Sequence, residues 1–245
     1  MTSYIWSFLG MLLIVVAHLR AESILSAHRH TTTLLNVIAG VAIAYAFMDV
    51  FPHLARKQPS LEGLFPDSVA AYLTNHVYVM ALLGFCVYVA IRVFSAAEVD
   101  RRHSRVAYVA LVASMCVYAL FIGYMLAEQP LYRPEPAFLF GLAMAAHFLG
   151  LHHELMHEWL DHYNNAVRYL LMGATALGWL GGFFYTVSQP VYALGFAYIA
   201  GGIVAAGAIN DLPRVKSAPA LVAFLAGALV YSILLLTIEA FRVQA

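Results

Sequence analysis

Apolar runs of membrane-spanning length, separated by short polar breaks, repeat along the whole chain. A bilayer core takes about 20 apolar residues of helix to cross. The pattern predicts eight helices: 1 (Ser3–Leu19), 2 (Leu34–Phe51), 3 (Val69–Phe94), 4 (Ser104–Ala127), 5 (Pro136–Trp159), 6 (Ala166–Val187), 7 (Val191–Asp211) and 8 (Ala218–Phe241). Two of them carry an acid shortly before a proline. Helix 2 leads into AFMDVFPH, Ala46 to His53, with Asp49 ahead of Pro52, and helix 7 ends in AGGIVAAGAINDLPR, with Asn210 and Asp211 ahead of Pro213. A carboxylate at hydrocarbon depth costs about 3 kcal/mol, so Asp49 is expected to face protein, water or a bound cation. Each proline is expected to end its helix.

Composition agrees with an all-α integral membrane protein. Hydrophobic residues make up 63% and charged residues 11%, against about 45–50% and 25% in soluble domains. The 13 basic and 13 acidic residues cancel, so no basic field points to nucleic acid. Cys86 and Cys116 fall inside apolar runs and read as small packing residues. The opening MTSYIW lacks a basic n-region, so the first run reads as a retained span. No soluble domain fits between the spans, and the whole chain reads as one transmembrane domain. The longest connection, Pro52 to Ser68, is short and broken by Pro59, Gly63 and Pro66.

Basic residues orient the bundle. Connections 1–2, 3–4, 5–6 and 7–8, with their helix ends, hold nine of the Lys and Arg residues, and the opposite side holds four: Arg56, Lys57, Arg133 and Arg242. The positive-inside rule then puts both termini on the non-cytoplasmic side. Helix 2 runs outward and helix 7 inward. Similar helices in opposite directions predict an inverted repeat, helices 1–3 mirrored by 6–8 around helices 4–5, with an ion site near the midplane.

These residues resemble a family. AFMDVFPH looks like the second helix of the ZIP (Zrt/Irt-like) metal transporters, which ends A-F-L-H-L-L-P-E. AGGIVAAGAINDLPR is similar to their seventh helix, A-G-T-F-L-Y-V-A-L-V-E-x-L-P-E, without a gap, and NNAVRYLLMGATALGWLGG resembles their small-residue sixth helix. The resemblance covers the whole chain and implies an eight-helix ZIP-like bundle passing zinc, iron or a related divalent cation toward the cytoplasm.

The family's metal ligands lie on helix 4, in H-N-x-x-[DE]-G, and on helix 5, in H-E-x-x-H. Helix 4 here offers YALFIG, Tyr118 to Gly123, with Ile122 in the carboxylate's place and only Gly123 kept. Helix 5 fits in two registers. The ungapped one sets His147 on the family's first histidine and Leu151 on the second. The other uses the literal HELMHE, His153 to Glu158, about one and a half turns farther along.

Apart from the family, helix 5 is the chemical centre. At 100° per residue, His147, Glu154, His157, Glu158, Asp161 and His162 share a sector of about 140°. Imidazole and carboxylate suit zinc, iron or manganese, and residues three or four apart can grip one ion. His147, His153, Glu154, His157 and Asp49 are therefore the candidate metal ligands. Asp211, Asn210, Tyr118, His53 and Asp161 are candidate positions on a transport path. The bland reading is that the far half of helix 5 is a solvated end. His53 reads as an exposed loop histidine, His18, His28 and His30 as solvated, and Glu128 as snorkelling to water.

The expected function is divalent cation transport, with the metal ion as cargo, zinc first, and lipid as surroundings. A ZIP-fold protein that binds or senses without carrying metal is one alternative. An intramembrane zinc protease built on His153, Glu154 and His157 is another, but HExxH alone is a weak motif and no second motif accompanies it. No enzyme activity is expected. Gly-rich stretches such as GWLGG and AGG permit close helix contact, within one bundle or between the subunits of a homodimer.

Overall fold

The computed structural model describes residues 2–27, 31–61, 76–100, 105–132, 137–159, 162–212 and 215–243. Among these residues there is no strand, and the long helices follow in order: α1 (Thr2–Ala27), α2 (Thr31–Tyr45), α3 (Val77–Asp100), α4 (Arg105–Tyr132), α5 (Ala137–Glu158), α6 (Asn165–Phe184), α7 (Gln189–Ala206) and α8 (Ala218–Val243). All but α5 and α6 belong to stretches long and apolar enough to cross a membrane. Histidines and glutamates dilute α5, and glycines with Arg168 dilute α6. The chain thus has the helices of an integral membrane protein.

Four helix couples carry most of the packing: α1 with α5, α2 with α8, α3 with α7 and α4 with α6. Each couple is closed by two glycines, one per helix: Gly10 and Gly141, Gly40 and Gly227, Gly84 and Gly201, Gly123 and Gly178. A Cβ on any of them would collide with the facing helix's backbone, for example Gly40 with the Phe224 carbonyl and Gly178 with the Leu120 carbonyl. With no hydrophobic drive between helices in lipid, such backbone approach is a main source of attachment. Gly178 of GWLGG and Gly201 of AGG are therefore used inside the bundle.

The expectation that proline ends helix 2 is overturned. Beyond Tyr45 the helix passes through a π-helical segment, Ala46–Val50, and continues as α-helix over Phe51–Lys57 and as a 3₁₀ turn over Gln58–Leu61. The Phe51 N–H reaches back to the Ala46 carbonyl, one residue farther than in an α-helix. This wider turn lets Pro52 enter without ending the helix, because its missing N–H falls where the ladder is already offset. A second π-helical segment, Gly207–Asp211, extends α7, and Pro213 lies outside the described residues. Helix 1 also runs past its expected end at Leu19. Its extra turns are held by Ala21 and Leu25 against Leu35 and by a 3.0 Å ion pair between Glu22 and Arg168.

Candidate functional site

A cavity of about 100 Å³ lies among α3, α4, α5 and α7. Its wall is mainly apolar, and His147 and Tyr118 line it together with Glu154, Glu158, Tyr88 and Arg92. His147 is only 4% exposed. Its ring stands edge-on to that of Tyr118, with centroids 5.8 Å apart. The Tyr118 hydroxyl is buried and has no hydrogen-bond partner among the described residues. From His147 to Glu158 the helix advances roughly 16 Å, so the cavity follows about half a membrane thickness.

The far end of the cavity is closed by a polar cluster. Arg92 on α3 donates two hydrogen bonds to the Glu158 carboxylate, that from Nη2 at 2.6 Å. Its Nε donates to the Asn210 Oδ1 at 3.2 Å, and the Asn210 amide donates to the Tyr88 hydroxyl. Glu154 is within electrostatic reach of the same guanidinium. Arg92, Glu158 and Asn210 all sit late in their helices. Their meeting makes α3, α5 and α7 parallel.

Asn210 and Asp49 occupy equivalent places. Each is the fourth residue of its π-helical segment and three residues before a proline. Both are buried, Asp49 at 3% and Asn210 at 8% exposure. π-Segments often mark functional positions because they turn a side chain out of the regular ladder. Asp211 closes the second segment.

The candidate residues separate into distinct places. His147, Glu154 and Tyr118 share the cavity, with Asn210 joined to it through Arg92. Asp49 and His53 do not line it. His53 is no loop histidine: it is 2% exposed, on the helix that continues past Pro52, with its ring 4.8 Å from that of Phe196. His153 and His157 stack on each other with centroids 4.1 Å apart, away from the cavity, and His157 Nδ1 donates to the His153 carbonyl. The shared sector breaks at its far end because α5 stops at Glu158. His162 packs instead against Tyr108 and Trp159, and Asp161 lies outside the described residues. Among the described residues no three His, Cys, Asp or Glu side chains form a group able to hold a metal ion. Helix 4 explains part of this: Ile122 is fully buried in the core, and Gly123 is spent on the contact with α6.

Two features escaped the sequence reading. Arg92 counted there only as a topological charge. The other is a buried hydrogen-bonded chain. Tyr163 OH lies 3.0 Å from His152 Nδ1, His152 Nε2 lies 2.9 Å from His18 Nδ1, and His18 Nε2 lies 3.3 Å from Thr175 Oγ1. Burial pushes the Tyr163 phenol up to about 12, and it donates because Thr175, whose proton goes to the Leu171 carbonyl, can only accept from His18 and so sets the direction of the whole line. Each imidazole then passes one N–H onward, and Thr175 donates to the Leu171 carbonyl at 3.0 Å. His18 is not solvated but fully buried, while His28 and His30 lie outside the described residues. The signal was present: seven apolar residues precede His18 in MLLIVVAHLR, the same burial argument that singled out His147. Glu128, expected to snorkel, is also fully buried, with the Tyr124 hydroxyl beside it.

No protein-family model matches this chain, and no curated protein matches it.

Proposed function

We propose that this protein is a ZIP-like, eight-span membrane transporter that passes a divalent metal cation, zinc or else iron or manganese, through the cavity beside His147. The carrying observation is that cavity, where a buried imidazole and a half-buried tyrosine with a buried hydroxyl meet midway along the bundle and two carboxylates follow toward one end. Nitrogen and oxygen donors of this kind accept several first-row ions. Two features support the inverted repeat. Exchanging helix 1 with 6, 2 with 7, 3 with 8 and 4 with 5 turns the couple α1·α5 into α6·α4 and α2·α8 into α7·α3. The same exchange pairs the two π-helical segments and their buried Asp49 and Asn210. With both termini outside, as the basic residues ask, the Arg92 end of the cavity faces the cytoplasm. Lipid surrounds the outward apolar faces, such as Leu229, Val230 and Ile233 of α8.

A second reading, a ZIP-like bundle that binds a cation without carrying it, is favoured by Tyr118 and Ile122 standing where the resembled family has ligands. Proteolysis is no part of either reading, since His153 and His157 stack together rather than converge with a third ligand among the described residues. The test is zinc binding by the purified protein, followed by uptake into proteoliposomes loaded with a zinc-sensitive dye. Transport predicts uptake by the wild type and its loss in His147→Ala and Glu154→Ala. Binding without uptake selects the second reading. No stoichiometric metal in the wild type rejects both.

A further inference from the structure

We infer that the ion pair between Arg92 and Glu158 is a latch that closes one end of the cavity, and that it opens by releasing Glu158 while Arg92 stays with α7. The inference rests on the cation-path reading above only for what passes; the latch itself concerns access to the cavity. Three observations carry it.

The first is how the helices around the cavity are joined. α3 and α7 form one couple, fixed where a Cβ on Gly84 would strike the Tyr198 carbonyl and one on Gly201 the Ala81 carbonyl. α5 belongs to another couple, fixed to α1 at Gly10 and Gly141. Besides α1, the close neighbours of α5 among the described residues are α2 and α4 rather than α3 or α7. The cavity occupies the space between. Arg92 and Glu158 thus make a side-chain bond between two couples whose backbones stand apart.

The second is where that bond lies. Both residues line the cavity, yet their side chains are 20% and 36% exposed. Leu151 and His147, farther in along α5, are 8% and 4% exposed. The pair has one face on the cavity and the other outside it. Partly exposed charges are readily taken up by water when they separate, so breaking this pair costs far less than breaking a buried one.

The third is the unequal attachment of Arg92. Its two bonds to Glu158 cross from one couple to the other. Its Nε bond to Asn210 stays within its own couple, and the Asn210 amide donates in turn to Tyr88, one turn before Arg92 on α3. Parting of the couples breaks only the bonds that cross between them. Arg92 remains held at Nε, and Glu158 leaves with α5.

The experiment reads access directly, in full-length protein in lipid nanodiscs. Cys86 and Cys116, which do not line the cavity, are replaced by Ala, and Leu151→Cys sets one thiol behind the latch. The rate at which a charged methanethiosulfonate labels that thiol is measured. Ser114→Cys, on the same wall, serves if Leu151→Cys does not fold. Arg92→Gln is expected to speed labelling roughly fivefold or more. Glu158→Gln should act in the same direction but less, because Glu154 still draws the guanidinium. Arg92→Lys keeps the charge without the paired donors, so it should fall between wild type and Arg92→Gln. Arg92→Gln/Glu158→Gln should be no faster than Arg92→Gln alone, since both changes break one bond. Asn210→Ala leaves that bond in place and should stay within about twofold of wild type. One rate in every variant, or an additive gain in the double variant, overturns the latch, whatever zinc uptake shows. Faster labelling in a protein that takes up no zinc keeps the latch and removes the cation path.

Discussion

His18 Nδ1 and His152 Nε2 lie 2.9 Å apart, joining α1 to α5 across 134 residues of chain. One donates and the other accepts, and their outer nitrogens are matched to Tyr163 and Thr175. Four side chains from three helices and a connection are thereby satisfied in a single line. Such a chain fixes the rotation of α5, and with it which residues face the cavity.

Breaking the line orphans what remains. His18→Ala leaves His152 and Thr175 without their shared partner, at about 1–3 kcal/mol for each buried group. Thermal unfolding in detergent should show a clear drop in Tm, and Tyr163→Phe, which removes only the end donor, a smaller one.

Tyr163 also gives the unfolding a pH dependence of known sign. Its phenol titrates near 12 in the folded protein, against about 10 in an unfolded chain. The folded state holds the proton more tightly, so the contribution is complete below about pH 10 and is lost as pH rises toward 12. Stability measured across that window should fall less steeply in Tyr163→Phe than in the wild type.

Glycine substitutions should divide by position. Gly178→Ala drives a Cβ into the Leu120 carbonyl, and overpacking of this kind costs about 1–3 kcal/mol. Gly173→Ala, five residues earlier on the same helix, meets nothing within 4 Å and should be neutral or stabilise by about 0.5–1 kcal/mol through helix propensity. Opposite signs in a Tm comparison are expected. Equal losses would refute the contact between α4 and α6.

His157 offers a separate check on the HExxH spacing. Its ring is exposed and turned from the cavity, so His157→Ala should leave zinc uptake within about twofold of wild type, as surface changes usually do. A loss as large as that of His147→Ala would instead put the literal motif on the path.

Much of the fold was legible because apolar run length decides whether a helix can span a bilayer. Eight helices stand where the runs predicted them, six of them long and apolar enough to cross a membrane, with ends shifted where an ion pair or cap intervenes, as at Glu22 or at Asn164, whose side chain accepts the Ala166 N–H at 2.9 Å. Pro52 misled because its effect depends on the turn it enters. A π-helical segment absorbs the missing N–H, and nothing in AFMDVFPH announces that segment. The site was half legible. Periodicity put His147, Glu154 and Glu158 on one face, and they do share a cavity. It could not report that Arg92, 66 residues before Glu158, reaches across to that face. Nor could it show that His18 finds a partner on α5, since that contact exists only once the helices have docked.

The eight facing glycines constrain how this bundle can change shape. Steric fit at the backbone leaves no slack within a couple, so α3 and α7, or α4 and α6, must travel as two-rod struts. Relative sliding is confined to the looser seams between struts, and Arg92 and Glu158 bridge one of those seams.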